Sequence, residues 1–381
     1  MKNRIKVAWF GSSFIGRSAS GTAQTARKSV VLLSKNFSNQ VHVILLLKNK
    51  FELELAKSDP DLANCDLILL DNKQRKFLGS SRQYYRFAWN NRKLKQFDIV
   101  HFSVPRVYPF FYLFPANKFV ATFHAGGDIT VPQDKFVLSR HIYNLIMRLQ
   151  WKKLDSIIAD SNFAVSEINA AYKIPISKIS KIYLGADNFW IDSGNIVKKE
   201  TNKIAVVGRW QKYKNVHTVL DVISELNSVN EAEIKIVLVG KSDQLGSNLV
   251  NSSVNKFFGK IELFNYLPDQ DLVSLYRESQ IVIHPSINEG FGLPAFEAFG
   301  EGSIIIIHKN TPAAELLGSF EGVVTEDLTT KEGVKSAILN ANKYFEIDID
   351  KRREYLRKIG ATWLNMTNSY LNVYTQLTKQ D

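Results

Sequence analysis

A single cysteine, Cys65, stands in 381 residues. No intramolecular disulfide and no cysteine-built metal cluster can form, and this usage fits a reducing compartment. Long hydrophobic runs are lacking too. The longest, such as Val43–Leu47 and Ile304–Ile307, are strand-sized and far short of the roughly 20 residues a membrane span needs. Ahead of Gly11 the apolar run is only Val7-Ala-Trp-Phe10, shorter than a secretory signal requires. These shortages predict a cytoplasmic chain. Histidine is sparse, and His42, His101, His141, His217, His284 and His308 show no ligand spacing. No metal and no resident cofactor are expected.

What is present is enough apolar material for two cores. The chain is too long for one ordinary α/β domain, and hydrophobic residues make up 45% of it, which excludes a disordered chain. The net charge of +12 is unevenly spread: residues 1–190 hold 28 Lys and Arg against 13 Asp and Glu, and the remainder holds 21 against 24. The first half therefore carries an excess of +15 and the second −3. An anionic partner for the first half follows as one reading, a lipid surface or lipid-linked phosphate before nucleic acid; a basic solvated surface is the other.

Short β-branched runs alternate with longer amphipathic ones. Strands are predicted at Ile5–Phe10, Val41–Leu47, Leu67–Leu70, Ile99–Phe102, Phe119–Phe123 and Ser156–Ala159, then at Ile204–Val207, Ile234–Val239, Ile281–Ile283 and Ser303–Ile307. Such continuous apolar runs suit parallel strands buried on both faces. Helices are predicted over Ala19–Leu33, Val216–Leu226, Asp269–Glu278 and Lys351–Leu377. The βαβ alternation thus occurs twice. The predicted organisation is a first α/β domain over 1–190, a polar linker over 191–202, a second domain over 203–360, and a terminal helix in 361–381 that crosses back to the first. Open α/β sheets bind ligands beyond the carboxyl ends of their strands, so two such domains facing each other would share a cleft.

The strongest motif is Asn288-Glu-Gly-Phe-Gly-Leu-Pro-Ala-Phe-Glu297, directly after a buried strand. Gly290 and Gly292 permit a tight turn and close backbone approach. Pro294 suits the first turn of a helix, so a glycine loop feeds a helix N-terminus, a ready anion site. Glu289 and Glu297 then flank a ligand whose phosphates sit between them; a plain strand–turn–helix with solvated glutamates is the alternative. Gly208-Arg-Trp-Gln-Lys-Tyr-Lys214 follows the first strand of the second domain. Arg209 and Lys214 can offset the charge that develops on a diphosphate leaving group, or merely form a basic loop.

This set resembles the signature of retaining GT-B glycosyltransferases, family 4, the group 1 glycosyl transferases. The resemblance lies in the glutamate pair within Glu289–Glu297 and in Gly208-Arg209 followed by Lys214. It extends to Val239-Gly240-Lys241, to Thr122-Phe-His-Ala-Gly-Gly-Asp128, to Ala159-Asp-Ser-Asn-Phe-Ala-Val-Ser-Glu167 and to Lys181-Ile-Tyr-Leu-Gly-Ala-Asp187. It implies two Rossmann-like domains facing across a cleft. Arg209, Lys214, Gly240 and Lys241 would lie on the donor diphosphate and nucleotide side, and Glu297 on the ribose. Glu289, with Asn288, Gly290, Phe291, Gly292 and Leu293, would hold the sugar, and His124 would sit at the reacting centre. Ser20 and Gly21 would belong to an acceptor-side loop, although Ser12–Gly21 lacks the family's adjacent glycine pair.

The function implied is hexosyl transfer from a nucleoside diphosphate sugar to an acceptor hydroxyl with retention, in bacterial surface polysaccharide or glycan assembly. The acceptor would be a glycan or lipid-linked glycan, the location peripheral at an anionic membrane, and nucleic acid no partner. A synthase with a soluble sugar acceptor and a non-catalytic GT-B binding module are the rivals. Two further segments stay open. The basic and aromatic Arg82–Phe97 reads as a surface helix packing its aromatics inward, as a membrane-docking amphipathic helix, or, after these, as a nucleic-acid surface. Pro105–Pro115 reads as sheet packing or lipid contact.

Overall fold

The computed structural model describes residues 4–11, 14–15, 21–70, 82–91, 93, 96–103, 110–124, 137–187, 199–229, 233–240, 244–344 and 347–379. The chain divides into two compact units, Met1–Gly185 with Trp363–Asp381, and Ala186–Thr362.

The first unit holds strands β1 (Ile5–Phe10), β2 (Val41–Leu47), β3 (Asp66–Leu69), β4 (Phe97–Ser103), β5 (Ala116–Phe123), β6 (Ser156–Ala159) and β7 (Ile179–Lys181), with helices α1 (Gly21–Asn36), α2 (Lys50–Ser58), α3 (Arg82–Asn91), α4 (Val137–Gln150) and α5 (Asn162–Tyr172). The sheet runs β3-β2-β1-β4-β5-β6-β7 and every pairing is parallel. Side chains alternate between its faces. Phe10 and Phe102 enter an aromatic core with Tyr84, Phe111, Phe114, Tyr143 and Tyr172. Trp9 and His101, one residue earlier on each strand, take the other face, where their rings lie 4.2 Å apart.

The second unit holds β8 (Glu200–Val207), α6 (Val216–Val229), β9 (Lys235–Val239), α7 (Gln244–Asn255), β10 (Ile261–Phe264), α8 (Asp269–Glu278), β11 (Ser279–His284), α9 (Leu293–Gly300), β12 (Ile304–His308), α10 (Pro312–Leu317), β13 (Val323–Glu326), α11 (Lys331–Ala341) and α12 (Ile349–Lys358). Its sheet runs β10-β9-β8-β11-β12-β13, again parallel. Strand order reverses between β8 and β11, the switch point at which open α/β sheets hold ligands. Each unit is thus an α/β unit of Rossmann type.

Two boundaries and one packing question are decided by the structure. Strand β8 begins at Glu200, inside the stretch read as linker, because its polar start is satisfied: Lys203 reaches Glu200 and Glu278, each at 2.7 Å. Residues 188–198 of that stretch lie outside the described ones. The single terminal helix is instead two, α12 and a last helix, α13 (Trp363–Thr378), parted at Gly360, whose φ of 80° is left-handed. Helix α3 turns Tyr84 and Ala88 into the core, with Phe87 packed against it; Trp89 stays exposed.

Helix α13 belongs to the first unit. Its Tyr374 hydroxyl lies 2.5 Å from His101 Nδ1, and its Tyr370 hydroxyl 3.4 Å from Thr122 Oγ1. The helix starts hard against Gly185: a Cβ there would stand 2.2 Å from Trp363 N. Backbone cannot yield as a flexible side chain can, so overpacking of about 1–3 kcal/mol is expected for Gly185→Ala. Urea unfolding of the full chain checks this; an unchanged midpoint for the first unit would show that the close approach is dispensable.

Candidate active site

In the second unit the loops after β8, β9 and β11 converge. Gly208 follows β8 and Gly240 follows β9, with φ of 144° and 158°. Gly208 N donates to Val239 O at 2.9 Å. A Cβ on Gly240 would stand 1.9 Å from Gly208 O, so the two loop starts touch through bare backbone. Beyond Gly208 the chain exposes Arg209, buries Trp210, and makes a 3-10 turn over Lys212–Lys214. Asn215 ends that turn with a left-handed φ of 53°.

The loop after β11 is fastened to this turn. Ile287 N donates to Tyr213 O at 3.0 Å, and Lys214 Nζ donates to Glu289 Oε2. His284, the last residue of β11, places Nε2 3.5 Å from the same oxygen. Burial alone would raise the Glu289 carboxyl, but the Lys214 ammonium and nearby His284 outweigh it and hold the group well below the ordinary carboxylate range. The loop then turns at Gly292, left-handed at φ 92°, to cap α9, with Pro294 in its first turn. Phe291 and Phe296 stack at 4.2 Å, which stiffens the entry into the helix.

Glu297 lies inside α9, buried, with Oε2 accepting from the Tyr276 hydroxyl at 3.2 Å. Tyr276 in turn is pushed well above its usual range by burial and by Glu297. The C-terminal end of α9 is fixed as firmly. Arg353 Nε donates to Gly300 O at 2.8 Å, and Arg352 Nη1 to Ser303 O at 2.6 Å. Glu301, buried, receives Arg277 at 2.7 Å and Arg353 at 3.1 Å.

The structure therefore brings Lys214 and Glu289 together, with Gly240 directly after β9, Gly290, Phe291 and Gly292 on the loop after β11, and Leu293 and Glu297 on α9. Asn288 is half-buried, and its carbonyl accepts from Ser286 Oγ at 3.0 Å. Arg209 is exposed. Lys241 and Ser20 lie outside the described residues, and Gly21 opens α1.

His124 is in the first unit, at the carboxyl end of β5, and it is buried among protein partners. Nδ1 lies 3.2 Å from Asp160 Oδ2, and Nε2 3.2 Å from Ser103 Oγ. An ionised Asp160 accepts from Nδ1–H, so Nε2 is the basic nitrogen and takes the Ser103 hydroxyl. One strand away, His101 is held down to about 3 by burial and by the neighbouring His124. It stays neutral, bridging Tyr374 and Thr122.

Sequence reasoning passed over four groups. Asp160 and Ser103 follow buried strands with no recognisable spacing to His124. His284 Nδ1 and the Trp210 indole Nε1 are buried without a hydrogen-bond partner among the described residues. A Cβ on Gly240 would lie 3.2 Å from that indole nitrogen. A histidine ending a buried apolar strand was the available signal for His284. Asp-x-Asp spacing occurs three times in the chain, and those carboxylates work elsewhere. Asp59 and Asp61 hold Arg27, Asp269 and Asp271 open α8, and Asp348 caps α12, whose first turn holds Asp350. Among the described residues no three His, Cys, Asp or Glu cluster as metal ligands.

Residues 189–360 match the family model described as glycosyl transferases group 1. The chain is 25% identical over 314 residues, 77% of each chain, to the O-antigen chain mannosyltransferase B of Escherichia coli. The chain is a glycosyltransferase, and its second unit is a group 1 domain. Its fold is similar to that of a glycosyltransferase from Rickettsia africae ESF-5 (TM-score 0.70, 19% identity, 100% of both chains). It is also similar to Anabaena Alr3699/HepE, solved with UDP and glucose (TM-score 0.62, 12% identity, 99% of this chain and 98% of that one). Two parallel-sheet units with these neighbours make the fold GT-B. Among the described residues no helix is long and apolar enough to cross a membrane.

In this glycosyltransferase the depressed Glu289 carboxyl makes stability depend on pH in a definite direction. A folded pKa below the unfolded one contributes stability that is full above the ordinary carboxyl range and is lost as pH falls toward the folded value. Lys214→Met should therefore destabilise the second unit near neutral pH. The gap from wild type should narrow between about pH 6 and about pH 3 as the carboxyl protonates in the variant. Denaturant melts across that range measure it; a gap that stays constant would mean that the pair contributes nothing through charge.

Proposed function

We propose that the glycosyltransferase moves a hexosyl group from a nucleoside diphosphate sugar to an acceptor hydroxyl, with retention, in assembly of a bacterial surface polysaccharide. The observation that carries the reading is the Lys214–Glu289 pair in a loop walled by Gly208, Gly240 and Gly292, beside the α9 N-terminus. A diphosphate entering there meets the Lys214 ammonium, Arg209 and the positive end of the helix, which together offset the charge it gains on leaving. As Lys214 turns to phosphate, Glu289 is released to accept from sugar hydroxyls. Glu297, one turn deeper, suits a ribose. Trp210 Nε1 and His284 Nδ1 add groups that have no partner among the described residues.

Two positive groups and a helix end do here what a divalent cation does in other transferases, so no metal is assigned a role. The mannosyltransferase named above acts on the O-antigen chain, and that likeness supports a glycan acceptor. HepE is named with UDP and glucose, which supports a nucleotide-sugar donor. The acceptor is assigned to the first unit. Its excess of +15 over residues 1–190 favours a lipid-linked glycan at the inner face of a membrane over a soluble sugar.

Glu289→Gln should lower turnover on the order of a hundredfold with the fold intact, since the side chain sits on a loop. Near-wild-type turnover would remove it from the mechanism. Arg209→Ala and Lys214→Ala should each weaken nucleoside diphosphate binding by about ten- to a hundredfold, the worth of a charge-assisted contact; unchanged affinity by calorimetry would refute the clamp. Activity should persist after exhaustive EDTA treatment, and rescue by Mg²⁺ or Mn²⁺ would overturn the metal-free reading. Among UDP-, GDP-, ADP- and dTDP-sugars, the true donor at a hundred times its Kd should add about 2.7 kcal/mol to stability.

A further inference from the structure

Helix α4 carries apolar residues on two opposite faces. Tyr143 and Met147 point into the core of the first unit. Ile142, Leu145 and Leu149 form a second stripe at helical spacing, and they are 52%, 56% and 77% exposed. Burying a leucine is normally favourable by about 1.5–3 kcal/mol, so three exposed in one row are not incidental. The stripe continues onto a neighbouring turn. Phe110 N donates to Gln150 Oε1 at 2.9 Å, which ties the exposed Phe110 and Tyr112 to the end of the helix.

The charge along this stripe is basic, and the nearest following carboxylate, Asp155, accepts from Phe119 N at 2.8 Å. Arg148, Lys152 and Lys153 are all exposed. The sequence from Lys135 to Leu154 contains no Asp or Glu. A second copy of the chain is a poor occupant, because a two-fold interface would set these cations against their own images with no carboxylate between them. An anionic bilayer supplies both missing halves, acyl chains for the apolar row and headgroups for the cations.

We propose that the exposed face of α4, with Phe110 and Tyr112 beside it and Lys152 and Lys153 at its end, is a docking surface for an anionic lipid membrane. The proposal deepens the reading of the first unit as the membrane-facing one and rests on it. It also moves the contact away from α3, whose Tyr84 and Ala88 are spent on the core.

The experiment is co-sedimentation of the full chain with vesicles of phosphatidylcholine alone or mixed with phosphatidylglycerol, at low and high salt. Wild type should pellet with the mixed vesicles and release in high salt. Leu145→Ser with Leu149→Ser, and separately Lys152→Glu with Lys153→Glu, should each cut partitioning at least about tenfold, given about 1 kcal/mol per cation. These side chains are exposed, so thermal melts should be unchanged. Turnover of donor with a soluble acceptor analogue should also be unchanged, since none of them is in the donor site. If wild type ignores anionic vesicles even at low salt, both the membrane reading and the docking face fall. If wild type binds but both double variants bind equally well, the face is wrong while the membrane reading stands. If the leucine variant abolishes a dimer seen by analytical ultracentrifugation and leaves vesicle binding intact, the stripe is a self-interface and the proposal is overturned.

Discussion

Glu301 accepts from Arg277 on one side and Arg353 on the other, and it is through these bonds that α9 has one position. A buried carboxylate is tolerated only when its partners are complete, and here the partners come from α8 and α12. Arg352 and Arg353 add hydrogen bonds to Ser303 O and Gly300 O, placing cations at the negative end of the helix dipole. At the opposite end Gly292 must be left-handed, and its missing Cβ leaves room beside His284, Glu289 and Ala313. Glu289 and Glu297 bracket the start of a helix held at both ends. Their separation is therefore set by residues that touch no ligand.

The buried histidines differ in how fully they are paired: His308 accepts from Leu328 N at 3.2 Å, and His284 Nδ1 has no partner among the described residues. In the first unit, His124 and His101 have both ring nitrogens engaged. His124 is oriented by Asp160 and His101 is kept neutral by burial. The network also reaches α13, so the carboxy-terminal helix is bound to the sheet by polar contacts as well as apolar ones. His124 can meet a sugar only if Ser103 gives up Nε2 or shares it. That makes Ser103 and Asp160 part of whatever His124 does.

Much of this was legible in the sequence, and the exceptions have physical reasons. All ten strands predicted from continuous apolar runs exist: nine are central parallel strands buried on both faces, and the tenth, β3, is an edge strand that still carries a Leu-Ile-Leu run. The three that escaped, β7, β10 and β13, are all at sheet edges, where one flank meets solvent and the sequence carries no such run: β10 is Ile-Glu-Leu-Phe and largely exposed. The glycine and glutamate motif announced its loop and helix because backbone geometry dictates those residues locally. Asp160, Ser103 and Glu301 were silent because their roles depend on pairings across 21 to 52 residues. Helix α3 shows the same limit from another side: its sequence reads as amphipathic, and only packing decides that Tyr84 and Ala88 are spent on the core while Trp89 stays outside.

In each unit a buried histidine stands at the carboxyl end of a central strand, His124 after β5 and His284 at the end of β11. Desolvating an unpaired donor costs about 1–3 kcal/mol, so a protein normally pairs every one. The first unit does so for its two buried histidines, His101 and His124. The second leaves His284 Nδ1 and Trp210 Nε1 without partners among the described residues, close to a carboxylate and an ammonium that satisfy each other. Apolar side chains of similar volume would avoid that cost and serve the core as well. If a ligand with acceptor oxygens binds at the switch point between β8 and β11, as proposed above, pairing these donors would recover that cost.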